Sequence, residues 1–202
     1  MTEGYIKFNC NWIKQEFNED ITEINKWRNK LYSLNLIGAY ENGIGFGNIS
    51  IREGNNFIIT GSKTGGIENL TNNHFTKVTN WYFNKNNLTC EGPIEASSES
   101  LTHAAIYTSN SNINAVIHVH NLNLWEKLIN KIPTTDEKAE FGTPEMAYEI
   151  MKLFRENQVT KKRILIMGGH KEGIISFGKN LEEAGNVLLD YFNLYSQHQK
   201  CL

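Results

Sequence analysis

The residues best suited to chemistry are His118 and His120, which stand two apart in His118-Val119-His120. Ile113, Val116, Ile117 and Val119 are strong strand formers, so residues 113–119 read as a β-strand. Positions i and i+2 of a strand share a face, which sets the two imidazoles side by side, with Val116 on the same face. Two imidazoles so placed can hold one divalent metal ion. A lone His-x-His also fits two partly exposed histidines on a strand face, and two further residues argue against that plain reading. His170 follows Gly168 and Gly169 at a strand end, from which a side chain can reach into a cleft. Glu99 follows Ser97 and Ser98 at the start of a helix expected to run to about Ser109, because Ser is a good N-cap and Glu suits the first turn. Three His with an exchangeable carboxylate are a first-row metal set that leaves room for a substrate. His103, four residues after Glu99, shares its helix face and is expected to be packed. His74 and His198 are expected at the surface.

A second kind of chemistry is anion binding. Gly43, Gly45 and Gly47 alternate just before a strand, and residues 61–66, Gly-Ser-Lys-Thr-Gly-Gly, form a small-residue loop. Such a loop can aim backbone N–H groups at an anion, with Lys63 adding charge; an ordinary tight turn has the same composition. It is not a Walker loop, since G-x-x-x-x-G-K-[ST] is absent.

The elements that must position these residues follow from periodicity. Residues 5–9 read as a short strand or an irregular arm. Ile21, Ile24, Trp27, Leu31 and Leu34 form an amphipathic helical stripe that ends near residues 35–38. A strand follows Gly47, and residues 56–60 form a second one, paired through a turn at Gly54-Asn55. Residues 75–91 read as two more strands, turned at residues 85–87, and Gly92-Pro93 ends them. A short helix is expected over residues 122–130, then a solvated charged loop over residues 132–141. Thr143-Pro144-Glu145 starts a helix that buries Met146, Ile150 and Phe154. Lys161, Lys162 and Arg163 read as a solvated strand entrance, followed by strands over residues 164–167 and 173–177. The last helix, about residues 180–196, carries Leu181, Ala184, Leu188 and Tyr191 on one face.

Composition narrows the class. The 202 residues are 40% hydrophobic and 21% charged, enough for one sizeable core, and a single domain over residues 1–202 is expected. A formal charge of -2 calls for neither nucleic acid nor a membrane surface. No apolar run approaches the ~18 residues of a spanning helix, and Met1 to Lys14 holds no apolar signal-peptide core. Cys10, Cys90 and Cys201 form no C-x-x-C, so free thiols in a reduced, cytoplasmic protein are expected.

Taken together and in order, Gly47-Asn48-Ile49-Ser50, the Ile-Thr-Gly loop, Ser97-Ser98-Glu99, His103, Ile106-Tyr107, His118-Val119-His120, Phe141-Gly142-Thr143 and His170 closely resemble the class II aldolase/adducin family, over about residues 20–196. The resemblance implies an α/β fold: a three-layer α/β/α domain around a mostly antiparallel sheet. It implies a homotetramer with active sites at subunit interfaces. It implies a divalent metal, zinc above all, on His118, His120 and His170, with Glu99 as fourth ligand or catalytic acid/base. Asn48, the loop at Ser62, Thr64 and Gly65, and Ser97 and Ser98 would then bind a substrate phosphate, in keeping with the anion affinity of a helix N-terminus.

The sequence departs from the family's fuculose-phosphate aldolases in two places. Residues 121–142 contain no Tyr, where those aldolases have a catalytic one, and His170 is followed by Lys171-Glu172 before Gly173. Acidic residues occupy the loop instead. The resemblance thus implies a metal-dependent aldolase acting on a small phosphorylated ketose through a metal-stabilised enediolate, with Glu99 shuttling a proton. A sugar-phosphate dehydratase or 4-epimerase on the same centre is the alternative, with Glu140 or Asp136 as acid/base. Tyr191 or Tyr195 of a neighbouring subunit is a further candidate proton carrier. An adducin-like interaction module without catalysis is a reading from a different class.

Overall fold

The structure, a computed structural model, describes residues 5–196. His198 and Cys201 lie outside them. Ten strands and six α-helices follow in the order β1 (Asn9–Lys14), α1 (Thr22–Ser33), β2 (Gly38–Ala39), β3 (Gly45–Phe46), β4 (Asn48–Glu53), β5 (Asn56–Thr60), β6 (Phe75–Tyr82), β7 (Asn87–Gly92), α2 (Ser100–Ser109), β8 (Ala115–His120), α3 (Leu122–Leu128), α4 (Pro144–Arg155), α5 (Gln158–Lys162), β9 (Ile164–Ile166), β10 (Gly173–Gly178) and α6 (Leu181–Ser196). Eight strands make one sheet in the order β1-β7-β6-β5-β4-β8-β10-β9. Every pairing in it is antiparallel except β1 with β7.

Helices cover both faces of the sheet. Along β8 the side chains alternate: Val116 joins the core under α2 and α4, whereas Ala115, Ile117 and Val119 join the core under α1, α3 and α6. This is the three-layer α/β/α arrangement with a mostly antiparallel sheet. Neighbours on both faces explain why β8 and β10 are buried along their whole length.

Local chemistry explains the ends of the best-defined helix. Thr143 accepts a hydrogen bond from the Met146 N–H as N-cap of α4, and Pro144 occupies the first turn, where its missing N–H costs nothing. Met146, Ala147, Ile150, Leu153 and Phe154 are its buried stripe.

Several expectations are corrected. Of the two readings of residues 5–9, the irregular arm holds for residues 5–8, and the N-terminal strand follows at Asn9–Lys14, where it pairs in parallel with β7 at the sheet edge. Helix α2 begins at Ser100, not at Ser97: the Ser97 hydroxyl accepts from the Glu99 N–H and holds Ser97 to Glu99 in a turn before the helix. Lys161 and Lys162 end the short helix α5, whose last turn closes on Arg163 in a left-handed conformation. The 132–141 segment is more than a solvated loop. Pro133, Thr135, Ala139 and Phe141 are buried, and a Cβ at Gly169 would lie 1.9 Å from the Ala139 carbonyl oxygen. Cys10 and Cys90, distant in sequence, are adjacent across the β1–β7 edge, with Sγ atoms 3.6 Å apart.

Candidate active site

His118 and His120 project from β8 on the face shared with Val116, as the alternation requires. Gly173 of β10 pairs with His120, and Ile175 with His118. His170 comes from the turn between β9 and β10, and Phe141 stacks on its ring with centroids 4.5 Å apart. Gly168 and Gly169 do more than free a side chain to reach a cleft. They let the 135–139 backbone lie directly on this turn, since a Cβ at Gly168 would meet the Thr135 oxygen at 2.2 Å.

The three histidines converge. Each offers a ring nitrogen such that all three lie within 4.8 Å of one another, and the residues are only 1, 3 and 4% exposed. Burial, and then the neighbouring imidazoles, push the pKa values of His118 and His120 well below the usual histidine range. Both are therefore neutral at physiological pH, the protonation state in which imidazole binds a metal. His118 Nε2 is buried without a hydrogen-bond partner, and its lone pair, in the tautomer protonated at Nδ1, is one that a cation would satisfy. The donor set thus fits a first-row divalent metal.

The surrounding contacts orient the rings. Asn48 lies opposite His118 in the β4–β8 ladder, its amide nitrogen 3.3 Å from Nδ1. Glu99, 2% exposed, receives the Thr102 hydroxyl at 2.7 Å and brings Oε1 within 3.4 Å of His170 Nδ1. The Tyr40 hydroxyl lies 2.7 Å from His120 Nδ1. His103 is packed, as expected: burial depresses its pKa to about 3, and the Ser50 hydroxyl meets its Nδ1 at 2.7 Å.

Beside the histidines is a narrow cleft lined by Gly47, Asn48, Ser62, Lys63, Thr64, Gly65, Ser97, Ser98 and Glu99. The sequence-predicted phosphate residues therefore share one cleft with Glu99 at its edge. Thr64 is turned inward, its hydroxyl donating to the Gly61 carbonyl. Arg28, buried on α1, donates to the carbonyls of Thr64, Gly65 and Glu68. In a trans peptide C=O and N–H point opposite ways, so these bonds turn the N–H groups of Gly65 and Gly66 away from α1.

A wider cavity of about 660 Å³ opens on the other side of His170, lined by Lys7, Tyr40, Ile44, Glu140, Phe141 and Glu172 among others. Glu140 reaches it from an exposed position, paired with Lys7 at 3.0 Å. Asp136 is elsewhere, in a hollow with Glu149 and Lys152. Tyr191 and Tyr195 are partly buried and pack against the core on the opposite face of the sheet from the histidines.

Residues 39–125 match the family model of the class II aldolase and adducin N-terminal domain. Over that segment the chain is similar to the class II aldolase and adducin N-terminal domain. The matched segment contains Asn48, Glu99, His118 and His120, while His170 lies beyond it. No curated protein matches the sequence. Among solved structures, an L-fuculose 1-phosphate aldolase superposes with a TM-score of 0.68 at 21% identity, covering 91% of this chain and 89% of the other. The L-fuculose-1-phosphate aldolase of Thermus thermophilus superposes with 0.63 at 20% identity, covering 89% and 94%. A sugar-phosphate aldolase from Thermotoga maritima gives 0.64 at 18% identity, covering 89% and 93%. At these identities the likeness is one of fold.

Three contributors are not legible in the sequence. Tyr40, Glu172 and Arg28 act across the fold, and none belongs to a short motif. Glu172 carries a local sign only in the structure, where it is a non-glycine residue at φ +74°. No helix among the described residues is long and apolar enough to cross a membrane.

Proposed function

We propose that this chain is a member of the class II aldolase/adducin family and a metal-dependent lyase, an aldolase that cleaves or forms a C–C bond in a small phosphorylated ketose. The observation that carries the proposal is the convergence of His118, His120 and His170 within 4.8 Å, next to a Ser- and Gly-lined cleft. In this reading the three histidines hold a divalent metal, zinc by its preference for imidazole. Bound there, such an ion supplies Lewis-acid stabilisation of negative charge developing on substrate oxygens.

The chain's own residues would do the rest. Ser97, Ser98, Ser62 and the Gly65 backbone bind the phosphate, with Lys63 lending charge. Asn48 fixes the His118 ring and faces the same cleft. Glu99 moves the proton at the reacting carbon. Its carboxylate is held by Thr102 in a buried setting, within reach of both the metal centre and the cleft. The solved aldolases of the same fold support a sugar-phosphate substrate.

A dehydratase or 4-epimerase is the second reading, favoured by Glu140 on the wall of the larger cavity. Asp136 gives that reading little support from its separate hollow. An adducin-like module would have no use for three buried, converging imidazoles. Assembly as a homotetramer in the cytoplasm, with sites completed at subunit interfaces, belongs to the proposal and is tested by solution mass. The decisive experiment is to screen phosphorylated ketoses against the zinc-loaded protein for release of dihydroxyacetone phosphate or an aldehyde. Stoichiometric metal with turnover supports the lyase. A metal-free protein inert to every ketose phosphate overturns it.

A further inference from the structure

The β2–β3 hairpin and the β9–β10 turn, which also carries His170, meet at His120. Strands β2 and β3 enclose Tyr40, and Phe46 of β3 stacks against the His120 ring with centroids 5.3 Å apart. The Tyr40 hydroxyl lies 2.7 Å from His120 Nδ1 and 3.0 Å from Glu172 Oε2. Glu172 itself stands 3.9 Å from Nδ1, too far for a direct hydrogen bond. Its backbone is held at φ +74°, a left-handed conformation that costs a non-glycine residue of the order of 1–3 kcal/mol. The Asn121 N–H, next to His120, donates to its carbonyl.

The proton count in this triad is constrained. A carboxylate only accepts, and a phenol has one proton to give. The Tyr40 proton therefore goes to Glu172, and the phenolic oxygen accepts from His120 Nδ1–H. That tautomer leaves Nε2 with the lone pair.

We infer that Tyr40 and Glu172 are positioning residues for metal binding: Glu172 orients the Tyr40 hydroxyl, and the hydroxyl selects the His120 tautomer that can ligate. The inference rests on the metal-centre reading of the proposed function. It makes one unusual demand. Removing Glu172 frees the Tyr40 proton to turn toward Nδ1, which moves the histidine proton to Nε2 and blocks it. The loss acts through Tyr40, because Glu172 stands too far from Nδ1 to bond it directly.

The test is a double-mutant cycle on metal affinity. Metal-stripped wild type, Tyr40→Phe, Glu172→Ala and the double variant are titrated with Zn²⁺ against a chromophoric chelator, with Co²⁺ absorption reporting the ligand field. Apo melting temperatures show that each variant folds. Loss of a hydrogen bond to a ligating histidine typically weakens metal binding by ~10–100-fold, and that range is expected for each single variant. The double variant should bind no more weakly than Tyr40→Phe. A purely electrostatic effect of the Glu172 charge would persist in the Tyr40→Phe background, so losses that multiply overturn the relay. Wild-type affinity in Tyr40→Phe overturns it as well, while leaving the metal centre standing. Failure of the wild type to bind either ion overturns both.

Discussion

Asn48 pairs with His118 across the β4–β8 ladder, and its amide nitrogen lies 3.3 Å from the ring Nδ1. One residue thus touches a ring of the histidine cluster and lines the cleft of small residues beside it. The register of two antiparallel strands fixes the spacing between the two parts of the candidate site, and a slip by one residue would turn Asn48 to the opposite face.

The first prediction concerns the metal centre. His118→Ala and His170→Ala should each lower bound zinc from near one equivalent to a small fraction, read by elemental analysis. The far-UV spectrum should be retained, since each ring is one contributor to a large core. Unchanged metal content in both variants would remove the three-histidine centre.

Acid should destabilise the metal-free protein in a defined window. Burial holds the pKa values of His118 and His120 well below 6.5 in the folded state. The unfolded chain, with ordinary histidines, binds more protons as the pH drops below 6.5. Their contribution is therefore complete above the unfolded pKa and is lost as pH falls toward the folded values, by up to about 1.4 kcal/mol per pH unit for each histidine. The apo melting temperature should drop between about pH 7 and pH 5, and zinc should oppose the drop. A flat profile over that range contradicts the assignment.

The phosphate cleft can be tested separately from the metal. Ser98→Ala should raise the KM for a phosphorylated substrate and weaken competition by inorganic phosphate, with metal content unchanged. Loss of one hydrogen bond to a charged group, about 1.5–3 kcal/mol, corresponds to ~10–100-fold. Competition by phosphate that is unaffected by the substitution would place the anion elsewhere.

Much of this arrangement is legible in the residue pattern itself. His118 and His120 sit on a strand whose alternation is plain, and α4 announces itself through Thr143, Pro144 and an amphipathic stripe. The pattern misplaces the start of α2 because three polar residues precede it, and Ser97 closes a local turn there instead of capping the helix. The roles of Tyr40 and Glu172 leave no trace in the pattern. They lie in connections of no periodicity, and their contact spans 132 residues of sequence. Glycine pairs such as Gly168-Gly169 are visible in a sequence, but the backbone that presses on them is not.

That last contact makes a prediction about stability. Gly169→Ala would put a methyl group 1.9 Å from the Ala139 carbonyl oxygen, with backbone on both sides and no flexible side chain to yield. Overpacking of this kind costs about 1–3 kcal/mol, or a fall of roughly 2–12 °C in melting temperature for a chain of this size. Because the displaced turn carries His170, metal affinity should fall with it. A variant that melts like wild type would show that the 135–139 backbone does not press on the turn.

The remaining question is which carboxylate moves the proton. Glu99 is buried, bonded to Thr102 and close to His170, whereas Glu140 is exposed and paired with Lys7, and Asp136 lies in a separate hollow. In the aldolase reading Glu99→Gln keeps the fold and its bond from Thr102 but removes the titrating group. Turnover should fall ~10²–10⁴-fold, the usual worth of general acid–base catalysis, with phosphate competition retained. Glu140→Gln and Asp136→Asn should then stay within a few-fold of wild type. In the dehydratase or epimerase reading the ranking inverts: Glu140→Gln is the damaging change, Glu99→Gln is tolerated, and Asp136→Asn remains mild because it lines a separate hollow that holds none of the three histidines. The three variants, assayed on one substrate with metal content measured in parallel, separate the two readings by rank order alone. Full activity in all three would exclude all three carboxylates and move the search to a tyrosine, with Tyr191 and Tyr195 of α6 as the next substitutions to make.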